Sequence, residues 1–168
     1  MFVSPTVRRS AGRLTRWVVQ SMLPTIVAAS VHAAVTALVH AVGLGALINY
    51  LLPGVAQLPM DYWRSTRLLA VIVWALLLIH AIEIALWAMF YLAAGCLPDA
   101  ESAFYFSGVT YATIGYGDLV LPEPWRMLGP VEGLVGILMC GLSTALFFAF
   151  LGRVYGAKHR IRFDRPQG

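Results

Sequence analysis

The run Ser107, Gly108, Val109, Thr110, Tyr111, Ala112, Thr113, Ile114, Gly115, Tyr116, Gly117, Asp118 holds the residues whose types and spacing suggest chemistry. It is a chemistry of backbone oxygens. To strip water from a cation, a pore must offer a column of oxygens, and consecutive carbonyls supply one only if the side chains turn away from the axis. Gly115 and Gly117 can take backbone angles closed to other residues. Ile114 and Tyr116 can then point outward into packing that holds the carbonyls apart, and Thr113 can add a hydroxyl at the inner mouth. One chain gives one wall of such a column, so four copies are implied.

The elements around the run must hold it at membrane depth. The chain has 168 residues, 60% apolar and 12% charged, against about 25% charged in a soluble domain. The apolar excess lies in Pro24 to Leu52, Leu68 to Leu97 and Leu128 to Leu151. Each stretch exceeds the roughly 20 residues needed to cross about 30 Å of hydrocarbon. The run lies between the second and third, where non-helical backbone is tolerated only if protein buries it or it lines a water-filled path.

The segment Thr113 to Asp118 resembles the signature of pore-loop potassium channels. The order of outer helix, pore helix, filter, proline-rich turn and inner helix is similar to theirs over roughly Leu68 to Arg153. The resemblance implies an all-α membrane protein with three transmembrane helices, a re-entrant pore helix and a selectivity filter in a tetrameric pore. Each subunit of a homotetramer would contribute Thr113, Ile114, Gly115, Tyr116 and Gly117 to bind transported potassium ions, with no organic cofactor and no other metal. Isoleucine at 114 replaces the commoner valine and keeps an apolar, β-branched side chain. Val109 stands where some bacterial pores place a glutamate that contacts the aspartate after the filter, so that carboxyl pair is absent. Tyr105, eight before Thr113, is expected to reach Asp118 through its hydroxyl instead.

On this reading residues 1–21 are a basic arm with Arg8, Arg9, Arg13 and Arg16, and 22–52 the first membrane helix, opened by Pro24 as a first-turn residue. Residues 53–67 form a cytoplasmic linker. The pore domain, 68–153, divides into outer helix 68–97, pore helix 102–112, filter 113–117 and inner helix 128–153, and 154–168 are a basic cytoplasmic tail. Asp99, Glu101 and Ser102 read as the cap and first turn of the pore helix. Pro122, Pro124 and Trp125 mark an interfacial turn.

In the family the filter lies near the outer face, which places the carboxyl terminus in the cytoplasm of, we expect, a bacterial plasma membrane. Arg153, Lys158, Arg160, Arg162 and Arg165 agree with the positive-inside rule, as do Arg64 and Arg67. If the first segment also spans, the four arginines of the arm lie outside. Initiation at Met22, tolerance of the arm outside, or a first segment lying in the cytoplasmic interface would each resolve the conflict. Three spans with an outer amino terminus is the expectation.

No segment repeats arginine or lysine at every third position, so no voltage sensor is expected. Gating is then intrinsic to the membrane part, supplied by a gating partner, or missing. Gly136 and Gly141 are candidate hinges, with close helix packing as their alternative. Phe147, Phe150 and Leu151 are candidates for a cytoplasmic constriction. Glu83 reads as the only acidic residue deep within an apolar segment, where an unpaired charge costs at least a few kcal/mol. His80 and Trp87 share its helix face, while His32, Thr36 and His40 form a polar stripe on the first segment. Antiparallel packing is expected to bring Thr36 near Glu83 and His40 near His80. The alternative is a protonated Glu83 bonded to the pore helix through Tyr105 or Thr110.

Other classes fit poorly. Cys96 and Cys140 are expected to be free thiols. The net charge of +4 follows from membrane topology, with membrane lipid rather than nucleic acid as the neighbour. There is no nucleophile, base and oxyanion arrangement, no zinc-type Cys/His spacing and no phosphate-cradling loop, so no enzyme is expected. A non-conducting assembly that keeps a channel-like pore fold is the second reading.

Overall fold

The computed structural model describes residues 5–55 and 61–163, with side chains for 22–50 and 61–153. The described residues form four helices, α1 (Pro5–Val55), α2 (Tyr62–Ala93), α3 (Ala100–Tyr111) and α4 (Leu128–Phe163), with a 3-10 turn at Trp125–Met127 and no strand. Three stretches are long and apolar enough to cross a membrane, Met22–Tyr50, Tyr62–Ala93 and Trp125–Arg153. The fold is therefore all-α and that of an integral membrane protein, with the short α3 held between two spans.

Local chemistry sets most boundaries. Asp61 caps α2 by accepting from the Arg64 amide at 2.8 Å, and Asp99 caps α3 by accepting from the Ser102 amide at 2.8 Å. At the other end of α2, Gly95 takes φ 65. The Cys96 and Gly95 amides then return to the Tyr91 and Leu92 carbonyls at 2.8 and 3.1 Å. This left-handed glycine closure satisfies the last carbonyls and stops the outer helix at Ala93 rather than at residue 97.

Both ends of α1 and the end of α4 also differ from the sequence reading. Pro24 does not open α1, which runs unbroken from Pro5, and the helix continues past residue 52 to Val55. Proline inside a helix costs about 3 kcal/mol, but Arg8, Arg9, Ala11, Arg13, Leu14, Arg16, Gln20 and Met22 are helix formers that carry the backbone up to it. The side chains of Arg8, Arg9, Arg13 and Arg16 lie outside the described residues. At the other end of the chain, α4 continues past Arg153 to Phe163. Lys158, Arg160 and Arg162 thus follow on helical backbone, and Arg165 lies outside the described residues.

Helix α1 packs lengthwise on both α2 and α4, antiparallel to α2. Near the start of its membrane-crossing stretch, the Thr25 hydroxyl donates to the Pro124 carbonyl at 3.3 Å. Toward its end, Leu47 joins Ile72, Leu76, Ile79 and Phe150 in an apolar cluster. Between these points a Cβ added to Gly43 would stand 2.8 Å from the Ile79 side chain, so the helices approach closely there. This lengthwise packing disagrees with a first segment lying flat in the interface. Val27, Val31, Val35, Leu38 and Val42 remain exposed on the opposite face of α1, the apolar surface a lipid solvent requires.

Candidate functional site

The twelve-residue α3 ends beside the run that the sequence singled out. Residues 113–118 are non-helical and exposed on the subunit. Thr113, Gly115 and Gly117 take φ 59, 53 and 80, whereas Ile114 and Tyr116 do not have positive φ. An alternation of left- and right-handed residues gathers successive amides on one side of the backbone and leaves the carbonyls on the other. Glycine takes the left-handed angle at no steric cost. Thr113 is the one non-glycine residue with positive φ among those described, which marks local strain worth about 1–3 kcal/mol that its surroundings must sustain.

Those surroundings are visible. The Val109 carbonyl near the end of α3 accepts from the Ile114 amide at 2.8 Å and from the Gly115 amide at 3.1 Å, and Thr113 donates to the Thr110 carbonyl at 2.9 Å. Val109 thus holds the run by its backbone, whatever its side chain. At the far end, the Tyr105 hydroxyl donates to Asp118 at 2.7 Å. This bond pushes the Tyr105 phenol above the usual tyrosine range. Ile114 and Tyr116 are 53% and 69% exposed, so any packing that steadies them comes from outside the subunit.

Two buried carboxylates brace α3 from behind. Glu83 on α2 accepts from the Tyr111 hydroxyl, and His40 on α1 donates to its other oxygen at 2.9 Å. His80 Nδ1 lies 3.3 Å from Glu83 and 2.9 Å from the Tyr111 hydroxyl. One turn away, Trp87 donates to Thr36 at 3.0 Å, while His32 stacks on Phe90 with ring centroids 4.2 Å apart. The two stripes therefore meet: His40 lies beside His80 as expected, with ring centroids 5.4 Å apart, and also bonds Glu83, whereas Thr36 is level with Trp87 rather than with Glu83. The count from Pro24 misplaced Thr36 because α1 does not begin at Pro24. The pore-helix contact is also present, through Tyr111 rather than Tyr105 or Thr110.

The second carboxylate corrects the reading of Glu83 as the sole deep acid. Glu132, on the fifth residue of α4, is fully buried. It accepts from Tyr91 on α2 at 2.7 Å and from Ser107 on α3 at 2.5 Å. No local motif announces this triad, because its members lie 41 and 25 residues apart. A glutamate interrupting an apolar run was the one signal available.

The candidates on α4 separate. A Cβ at Gly136 would stand 2.1 Å from the Tyr111 backbone oxygen, so this glycine serves close packing of α4 on α3. Gly141 has no neighbour within 4 Å and keeps its freedom to bend. Phe150 is 3% exposed and packs on Leu47, Ile72, Leu76 and Ile79, with Phe147 partly buried against the same cluster. Phe150 is thus a packing residue of its own subunit rather than a free constriction, and Leu151 is only half-buried. Cys96 and Cys140 are both free.

Residues 77–153 match the family model described as "Ion channel". That part of the chain belongs to the pore-loop channel superfamily. No curated protein and no solved structure matches the chain. The match takes in most of α2 with all of α3, the non-helical run and the membrane-crossing part of α4, whereas α1 precedes it. The chain is a membrane ion channel protein to which a further apolar helix is docked by a buried polar stripe.

Proposed function

We propose that the channel is a potassium-selective homotetramer conducting passively through four Thr113–Gly117 segments. The observation that carries this reading is positive φ at 113, 115 and 117 but not at 114 and 116, an alternation that can turn successive amides to one side and carbonyls to the other. Carbonyls in this arrangement can replace the water around an ion of potassium's size. The carboxyl end of α3, with its partial negative charge, lies directly beside the run and favours a cation there. The exposed Ile114 and Tyr116 suit burial against neighbouring subunits. The filter end would face outward, with the end of α4 in the cytoplasm of a bacterial plasma membrane.

Flux into liposomes containing only this protein tests the proposal. Potassium and rubidium should enter while sodium is largely excluded. Equal sodium and potassium permeability would overturn the selectivity, and no flux from a well-formed tetramer would favour a non-conducting assembly.

A further inference from the structure

The polar contact between α1 and α2 brings together donors that sequence spacing kept apart. His40, His80 and Glu83 each place one ligand atom within 4.8 Å of the others. His40 Nδ1 and His80 Nδ1 lie 2.9 and 3.3 Å from the two Glu83 oxygens. Donors around a tetrahedral ion with bonds of 2.0–2.1 Å are separated by about 3.3 Å, comparable to the two histidine-to-carboxylate separations here. Two imidazoles and a carboxylate are a known three-ligand set for zinc, which leaves a fourth position open.

Two further features fit a metal better than a hydrogen-bonded dock alone. A cavity of about 280 Å³ between α2 and α4 is lined by His80 together with Leu76, Leu77, Cys140, Ser143 and Thr144. It leaves open space beside His80. The Ser143 hydroxyl lies 3.5 Å from His40 Nε2, the ring nitrogen turned away from Glu83. A metal-bound histidine characteristically gives its second nitrogen to such an outer partner, which fixes the tautomer. The carriers are helices, so the donors are held on rigid backbone.

We propose that His40, His80 and Glu83 form a binding site for a divalent transition-metal ion of the zinc class, joining α1 to the outer helix of the pore. Binding displaces the proton between His40 and Glu83. Tyr111, which touches both His80 and Glu83, stands two residues before Thr113, so an occupied site bears on the inner end of the run.

The test uses the full chain without an affinity tag, in detergent micelles, carrying His159→Gln to remove the tail histidine. Zinc titration by calorimetry should give one ion per chain. Cobalt should give the intense visible d–d absorption of a four- or five-coordinate site. His80→Gln and Glu83→Gln should each weaken zinc by at least about 100-fold. His80→Cys exchanges one ligand for another, so it should retain cobalt and add a sulfur-to-cobalt charge-transfer band. Absence of stoichiometric zinc binding would overturn the site, as would binding unchanged in His80→Gln and Glu83→Gln, or a His80→Cys protein that folds without the new band.

Discussion

Glu83 and Glu132 are both fully buried and both grip the pore helix, yet they are built from different materials. Glu132 is held by Tyr91 and Ser107, so its triad uses only α2, α3 and α4, and all three residues lie within the family match. Glu83 needs His40 from α1 as well as His80 and Tyr111. The first brace belongs to the pore itself, whereas the second ties the pore to an added helix. Variants that break one brace and spare the other therefore separate what makes the pore from what attaches α1.

The largest effect is expected where the backbone of the pore helix meets α4, next to both braces. Gly136→Ala would drive a methyl group against the Tyr111 carbonyl, and a backbone atom cannot rotate away. Overpacking of this kind costs about 3 kcal/mol or more. The variant should lose the folded oligomer on size-exclusion chromatography, and unchanged assembly would show that α3 and α4 are not so close. Gly141→Ala, in open space, is the matched control.

Glu132→Ala comes next. It leaves the buried Tyr91 hydroxyl without its acceptor while Ser107 keeps the Ile84 carbonyl at 2.9 Å, a loss of about 1–3 kcal/mol. Thermal unfolding in micelles should shift downward whether or not α1 is attached. A shift that disappears when α1 is mutated would mean that the two braces are one network.

The coupling between α1 and the pore is smaller and more specific. In a double-mutant cycle on thermal stability, His40→Ala with Glu83→Gln should show an interaction of about 1–2 kcal/mol, while His32→Ala with Glu83→Gln should add within about 0.5 kcal/mol. His32 touches Phe90 and Trp87 instead of the carboxylate. Additivity in both cycles would mean that the carboxylate contact does not dock α1.

What the sequence revealed follows the range of each interaction. The non-helical run 113–118 was legible because its glycines, its threonine and its flanking spans are contiguous, and Tyr105 reaches Asp118 across only 13 residues. The stripe His32, Thr36, His40 was legible through helical period alone. Its register was legible only in part, because Thr36 finds its partner Trp87 far along the chain. Glu132 was overlooked for the same reason. It interrupts an apolar stretch near its start, and α3, held between the spans, covers it at that level. The aromatic residues proposed as a constriction misled because composition cannot say that Phe150 faces α1 and α2.

The smallest expected effect concerns the outer end of the run, where the bond is exposed and depends on neither carboxylate. Tyr105 donates to Asp118, and this bond, more than any burial, raises the phenol above its ordinary value near 10. A phenol raised on folding contributes fully while pH stays below its unfolded value, and the contribution fades as pH climbs through the folded value. The contact should therefore be intact throughout the neutral range and be lost only in strong alkali, when the phenolate would face the carboxylate. Tyr105→Phe removes the donor at every pH. Its potassium-to-sodium flux ratio should be slightly below that of the unmodified channel at neutral pH, and the two should converge above about pH 10. Identical ratios at all pH values would show that the Tyr105 bond does not steady the outer end. A loss as large as that of Glu132→Ala would mean that the filter depends on this exposed collar as strongly as on its buried braces.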